Sequence, residues 1–185
     1  MENMVSMLAS YKQKFRGTTF VVCVMFVCSV CVFGRDIAGI YLTHKDTPGG
    51  QAIVEIFKHN NKYYVYGLKN LKNNVFTDSC NTDLQLRNRK NVGTVFAYDY
   101  TRNASGEFVG GSIYNFHNCK TYYGKIVPKA DGKIDFVGSL DSYYMLRRTY
   151  EWELLLPHQA KEYDKYRQPI DKLLQSIEDT RKSNK

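Results

Sequence analysis

Beyond residue 36 the chain alternates short β-rich segments with turn residues. The segments are 37–43, 51–58, 62–69, 92–99, 107–114, 120–127, 133–140 and 147–156. Valine, isoleucine, tyrosine and phenylalanine dominate them, as suits half-buried pleated strands. The breaks carry turn chemistry: His59-Asn60-Asn61, Arg102-Asn103-Ala104-Ser105-Gly106 and Ala130-Asp131-Gly132. Asn and Gly there tolerate positive φ. Eight strands with short connections predict an all-β sandwich or an antiparallel up-and-down barrel. Eight is also the strand count at which a barrel can hold one small ligand.

Alternation assigns faces to the last two strands. Ile134, Phe136, Gly138 and Leu140 share one side, against Lys133, Asp135 and Ser139. Arg148, Tyr150, Trp152, Leu154 and Leu156 share another, against Thr149, Glu151 and Glu153. The apolar sets are expected to point inward. Arg148 then falls on the inward face and needs a partner. Two readings stand. It closes one end of the barrel against a ring such as Tyr41, or it anchors the anionic end of a ligand. The tail changes period: Ile170, Leu173, Leu174 and Ile177 follow Pro169 at helical spacing, predicting an amphipathic helix over 169–181 that either packs on the barrel exterior or serves as a partner-binding or membrane-surface helix.

The N-terminus reads differently. Lys12, Lys14 and Arg16 precede an apolar run over 18–33, broken by Gly34-Arg35-Asp36. A basic stretch followed by a short apolar run is the pattern of a secretory signal peptide, with cleavage expected after Gly34. The domain organisation expected is a signal peptide over 1–34, a barrel over 35–157 and a helical extension over 158–185. An exported protein, periplasmic or secreted, follows, with no stable membrane insertion after cleavage.

Composition adds a charge. The chain carries 26 Lys and Arg against 18 Asp and Glu, a net +8. Loss of residues 1–34 leaves +6. Nucleic acid is an unsuitable partner, because the basic residues are scattered along the strands and export removes the chain from it. Three of the five cysteines leave with the leader. Cys80 and Cys119 remain, as a disulfide in an oxidising compartment or as two thiols. The four histidines are isolated, and no nucleophile elbow, phosphate loop or metal-ligand spacing occurs. No catalytic activity, metal or cofactor is expected.

The stretch Asp78-Ser79-Cys80-Asn81-Thr82-Asp83-Leu84-Gln85-Leu86-Arg87-Asn88-Arg89-Lys90-Asn91-Val92-Gly93 resembles a signature of small exported bacterial proteins of uncharacterised function with a lipocalin-like barrel. Asp78, Asn81, Asp83, Leu86, Arg87, Arg89 and Gly93 match it. So do Gly110-Gly111-Ser112-Ile113-Tyr114, Lys120-Thr121-Tyr122, and Arg148-Thr149 with Trp152. Tyr41 stands where that family carries Trp, and Cys119 where it carries Gly. The resemblance implies an eight-stranded antiparallel up-and-down lipocalin-like barrel with a C-terminal α-helix. In that fold Cys80 and Cys119 come to the same end, which favours the bridge.

The expected function is binding of a small, mostly hydrophobic or amphipathic molecule inside the barrel, without chemical conversion. Candidate cavity residues are Tyr64, Tyr66, Phe108, Tyr114, Tyr123, Phe136, Tyr150 and Trp152. Tyr41, Asp78, Asn81, Asp83, Arg87, Arg89 and Arg148 are candidates for a polar mouth or a closure of the barrel end. The alternative is an envelope or secreted protein-interaction module whose rings fill the core.

Overall fold

The computed structural model describes residues 36–45, 50–72 and 75–183. The expected leader over 1–34 lies outside the described residues. Eight strands form a closed barrel: β1 (Gly39–Leu42), β2 (Ala52–His59), β3 (Lys62–Asn70), β4 (Val95–Arg102), β5 (Phe108–Asn115), β6 (Lys120–Pro128), β7 (Lys133–Ser139) and β8 (Arg147–Leu154). Each strand pairs antiparallel with the next, and β1 pairs with β8 to close the sheet. Closure leaves no free edge.

The strand boundaries follow the hydrophobic pattern closely, with one shift of three residues. β4 begins at Val95 rather than 92. Val92 forms an isolated parallel bridge to Gly67, and Gly93 adopts a positive φ of 79° while its N–H donates to the Gly67 carbonyl (2.8 Å). The chain must turn there before it can enter the antiparallel ladder.

The sheet packs on both faces. Inside lie Tyr63, Val65, Tyr100, Phe108, Ile126, Ile134, Phe136 and Trp152. Outside, Ile53, Tyr64, Tyr66, Leu68, Val95 and Tyr98 are buried under the C-terminal segment. That segment comprises α1 (Pro157–Ala160), a 3-10 stretch (Lys161–Tyr166) and α2 (Ile170–Lys182). α2 starts after Pro169, which cannot extend a helix backwards. Its Leu173 and Ile177 face the sheet; burying each contributes about 1.5–3 kcal/mol.

Polar contacts fix the register of α2 on β4. The Val95 N–H donates to Ser176 Oγ (3.1 Å), and Thr180 Oγ1 donates to the Val95 carbonyl (2.9 Å). Arg181 donates twice to Asp99, each bond 2.8 Å, and Lys62 adds a third at 3.0 Å. Asp99 has a positive φ of 67° beside a register shift between β3 and β4, so the bulge turns its carboxylate toward the helix. The expected helix over 169–181 is thus present and packs on the barrel exterior.

The two ends of the barrel differ. One end, at the β4–β5 and β6–β7 hairpins, is filled. Phe108 packs edge-on against Tyr63 with centroids 4.7 Å apart, and Tyr41 donates its hydroxyl to the Ile37 carbonyl (2.9 Å). The other end is framed by the β1–β2 connection, the long loop after β3, the β5–β6 hairpin and the β7–β8 loop, and it is open. No helix among the described residues is long and apolar enough to cross a membrane.

Candidate functional site

The open end leads into a cavity of about 820 Å³. Its deep part is aromatic. Phe136 on β7 and Trp152 on β8 stack with centroids 4.0 Å apart at an interplanar angle of 13°. Phe96 on β4 meets Phe136 edge-on at 6.3 Å, and Ile113 and Tyr150 complete the wall. The next inward residues, Ile134 and Ile126, belong to the packed core and close the floor.

Small residues leave the space open. Gly138 sits opposite Arg148 on β8 and lines the cavity; a Cβ there would meet only Ile113 at an ordinary 3.5 Å. Lower down, Gly111 and Gly124 instead admit the Tyr100 side chain; a Cβ at Gly111 would lie 2.4 Å from its ring and one at Gly124 2.2 Å from its hydroxyl oxygen. The same residue type thus makes a void at one level and a packed layer at the next.

The mouth mixes polar groups with Leu140, Met145 and Leu146, and no carboxylate lines the cavity among the described residues. Asn70, Asn91, Asn115 and Asn118 contribute amides, and Arg147 and Arg148 contribute guanidinium groups. Arg148 occupies the inward-facing position that alternation predicts. It does not meet Tyr41. The β1–β8 register places Tyr41 opposite Leu154, six residues further along β8 and near the filled end. The expected ring-and-arginine closure is therefore corrected: Arg148 is an exposed rim residue at the open end.

Four of the eight expected cavity residues line it: Tyr114, Phe136, Tyr150 and Trp152. Phe108 points inward but lies in the filled end. Tyr64 and Tyr66 do not face the interior. They pack outward under the C-terminal segment, where Tyr66 donates a short hydrogen bond to Glu55. Burial, then that bond, raises the Tyr66 pKa. Tyr123 also points outward and is 49% exposed, because Gly124 and Ile126 fix the opposite parity for β6. Phe96, Ile113, Phe116 and Tyr122 line the cavity and were not expected to.

The expected polar mouth residues form a brace instead. Asp78 and Asn81 are fully buried, and none of Asp78, Asn81, Asp83, Arg87 and Arg89 lines the cavity. Asp78 Oδ2 accepts from Arg89 Nε (2.7 Å) and Asn81 Nδ2 (2.6 Å), and its Oδ1 accepts from the Tyr114 hydroxyl (2.7 Å). Arg89 continues to Thr180 (3.1 Å) and Ser183 (3.2 Å) at the end of α2, with its guanidinium over the Tyr114 and Phe116 rings. Arg87 holds the Asn81 carbonyl (2.8 Å), and Asp83 caps the 3-10 turn at Leu84–Leu86. Burial and the bond to Asp78 push the Tyr114 hydroxyl up to about 12, so it stays a donor at neutral pH.

Cys80 and Cys119 are bridged, with Cα atoms 5.8 Å apart. The bridge ties the long loop to the β5–β6 hairpin beside the cavity. Asp78 lies close enough to both sulfurs to suggest metal ligation, but bonded sulfurs offer no thiolate. One rigid unit thus joins three parts of the open end: long loop, hairpin and C-terminal helix.

Residues 39–153 match the family model described as uncharacterized protein conserved in bacteria (DUF2147). The chain belongs to that family. Among solved structures, the DUF2147 chain is similar to protein HP1028 from the human pathogen Helicobacter pylori, described as belonging to the lipocalin family. The identity is 30% and the TM-score 0.72, over 78% of this chain and 99% of that one. Comparison with curated proteins finds no match. The matched span starts at β1 and stops one residue before the end of β8, so it covers the barrel and leaves out the C-terminal segment.

Proposed function

We propose that this DUF2147 protein binds a small, mostly apolar or amphipathic molecule in the open half of its barrel and releases it unchanged. The cavity of about 820 Å³, walled by Phe96, Ile113, Phe136, Tyr150 and Trp152, carries the reading. It falls in the size range of small-molecule pockets and has their composition, an apolar wall with a few polar groups at the opening. Contact with these rings stabilises the ligand at about 25 cal/mol per Å² of apolar surface removed from water, before the costs of ordering. The rim amides and Arg148 orient its polar end. The likeness to a lipocalin-family protein supports the same reading.

Export fits the reading as well. A bridged Cys80–Cys119 pair suits an oxidising compartment, and a signal peptide over 1–34 would deliver the barrel there. Mass spectrometry of the purified protein, native against denatured and with organic extraction, tests the function. A stoichiometric small molecule lost on denaturation is the expected result. An empty protein that also takes up no fatty acid, sterol or hydrophobic dye would overturn it and favour the interaction module.

A further inference from the structure

The β7–β8 loop at the cavity mouth presents apolar side chains to solvent. Leu140, Tyr143, Met145 and Leu146 are between 66% and 85% exposed, within seven consecutive positions. A loose loop would bury some of them. This one is held from beneath. Asp141 accepts from the Tyr143 (2.9 Å), Met145 (3.2 Å) and Leu146 (2.8 Å) backbone N–H groups, and Tyr144 donates its hydroxyl to the Gly124 carbonyl (2.9 Å). Leu140, Met145 and Leu146 border the cavity mouth while remaining largely exposed, and Tyr143 does not line the cavity. Scattered exposed apolar residues are ordinary, but a braced cluster of them marks a contact surface.

Charge names the occupant. Arg147 and Arg148 follow the loop at the start of β8, Lys45 and Lys72 stand on other connections at this end, and Lys120 opens β6 after the β5–β6 hairpin. None of the five forms an ion pair with a described carboxylate. At the opposite end most lysines are paired: Lys62 with Asp99, Lys125 with Glu107, Lys129 with Asp135 and Glu151, and Lys133 with Glu151, while Lys58 lies over the Tyr63 ring. One end of the barrel therefore combines unpaired cations with exposed aromatic and aliphatic side chains. That combination fits the boundary of an anionic lipid bilayer, where apolar side chains enter the headgroup region and cations meet lipid phosphates. A second copy of this chain would bring the same cations face to face.

We propose that the open end docks on an anionic bilayer surface, with Tyr143, Met145 and Leu146 seated in the headgroup boundary and the cavity mouth facing the lipid. The docking is peripheral and independent of which molecule the cavity holds.

The test uses the full chain carrying Tyr143→Trp, with vesicles of phosphatidylcholine alone or mixed with phosphatidylglycerol, each containing a brominated lipid as quencher. The native Trp152 is buried and serves as the internal reference. The indole introduced at position 143 is expected to shift to the blue and be quenched by the anionic vesicles but not by the neutral ones. Adding Lys72→Glu and Lys120→Glu is expected to weaken vesicle affinity by about tenfold or more. Equal quenching by neutral vesicles, or none by either, overturns the proposal. A blue shift without vesicles that grows with protein concentration would also overturn it, assigning the surface to a second copy. Loss of small-molecule uptake with retained quenching would sink the function proposed above and leave this inference standing.

Discussion

Replacing Asp78 with Ala removes the acceptor at the centre of the brace. Arg89 Nε and the Tyr114 hydroxyl lose their acceptor at once, and Asn81 Nδ2 loses one of its acceptors while keeping Ser183 Oγ. The Arg89 side chain is only 12% exposed, so its charge cannot be fully rehydrated without moving the loop. Breaking one half of a buried ion pair costs about 3–5 kcal/mol. For a domain of this size that lowers Tm by roughly 6–20 °C. Urea unfolding under non-reducing conditions, followed by near-ultraviolet circular dichroism, measures it. The double variant Asp78→Ala with Arg89→Met strands no charge and is expected to recover part of the loss. A cost of less than about 1 kcal/mol for Asp78→Ala would refute the brace, because it would mean Arg89 finds water as easily as it finds Asp78.

Other outcomes follow from contacts elsewhere in the barrel. Replacing Cys80 and Cys119 with Ser opens a loop of sequence separation 39 and is expected to cost about 4 kcal/mol in equilibrium unfolding. Gly124→Ala places a Cβ 2.2 Å from the Tyr100 hydroxyl oxygen and is expected to cost at least about 1–3 kcal/mol by thermal denaturation. Tyr100→Phe removes a buried hydroxyl that has no hydrogen-bond partner in the protein, and is expected to be neutral or to stabilise by about 1 kcal/mol or more. Burial pushes the Asp99 carboxyl up, but Arg181 and Lys62 outweigh it and hold it below the usual carboxylate range. Its contribution is thus complete above its unfolded pKa and lost as pH falls through the lower folded value. The advantage of wild type over Arg181→Leu in thermal stability should be present at neutral pH and fade below about pH 4; a gap that widens in acid would contradict this.

The barrel was legible in the sequence because its strands are short, β-rich and punctuated by Asn, Asp and Gly. Strands 7 and 8 alternate cleanly, so Phe136, Tyr150, Trp152 and Arg148 were placed on the correct face. Strand 3 does not alternate. Tyr63, Tyr64, Val65 and Tyr66 are all buried, two inward and two beneath the C-terminal segment. A strand covered on both sides carries no period-two signal, and the parity of Tyr64 and Tyr66 was decided by a partner more than ninety residues away. For Tyr123 the information was present. Ile126 inward and Lys125 outward put Tyr122, not Tyr123, inside.

The polar segment is legible as a cluster, either a polar mouth or an ion-paired loop closing the barrel end, but its partners are not. The burial of Asp78, Asn81 and Arg89 depends on Tyr114, Thr180 and Ser183, which reach them through the fold alone. The contributions of Phe96 and Phe116 to the cavity were hidden for related reasons: one follows a register shift in β4, and the other sits in a hairpin loop.

The chain has one Trp, and it lines the cavity stacked on Phe136. Its fluorescence therefore reports occupancy directly. Titration of wild type with a polyene fatty acid probe should give a saturable one-to-one change with energy transfer from Trp152. In Gly138→Leu, which fills the cavity where a Cβ meets no clash, that change should disappear while the unfolding transition remains. No saturable change in the wild type, or the same change in Gly138→Leu, would contradict ligand binding in the open half of the barrel.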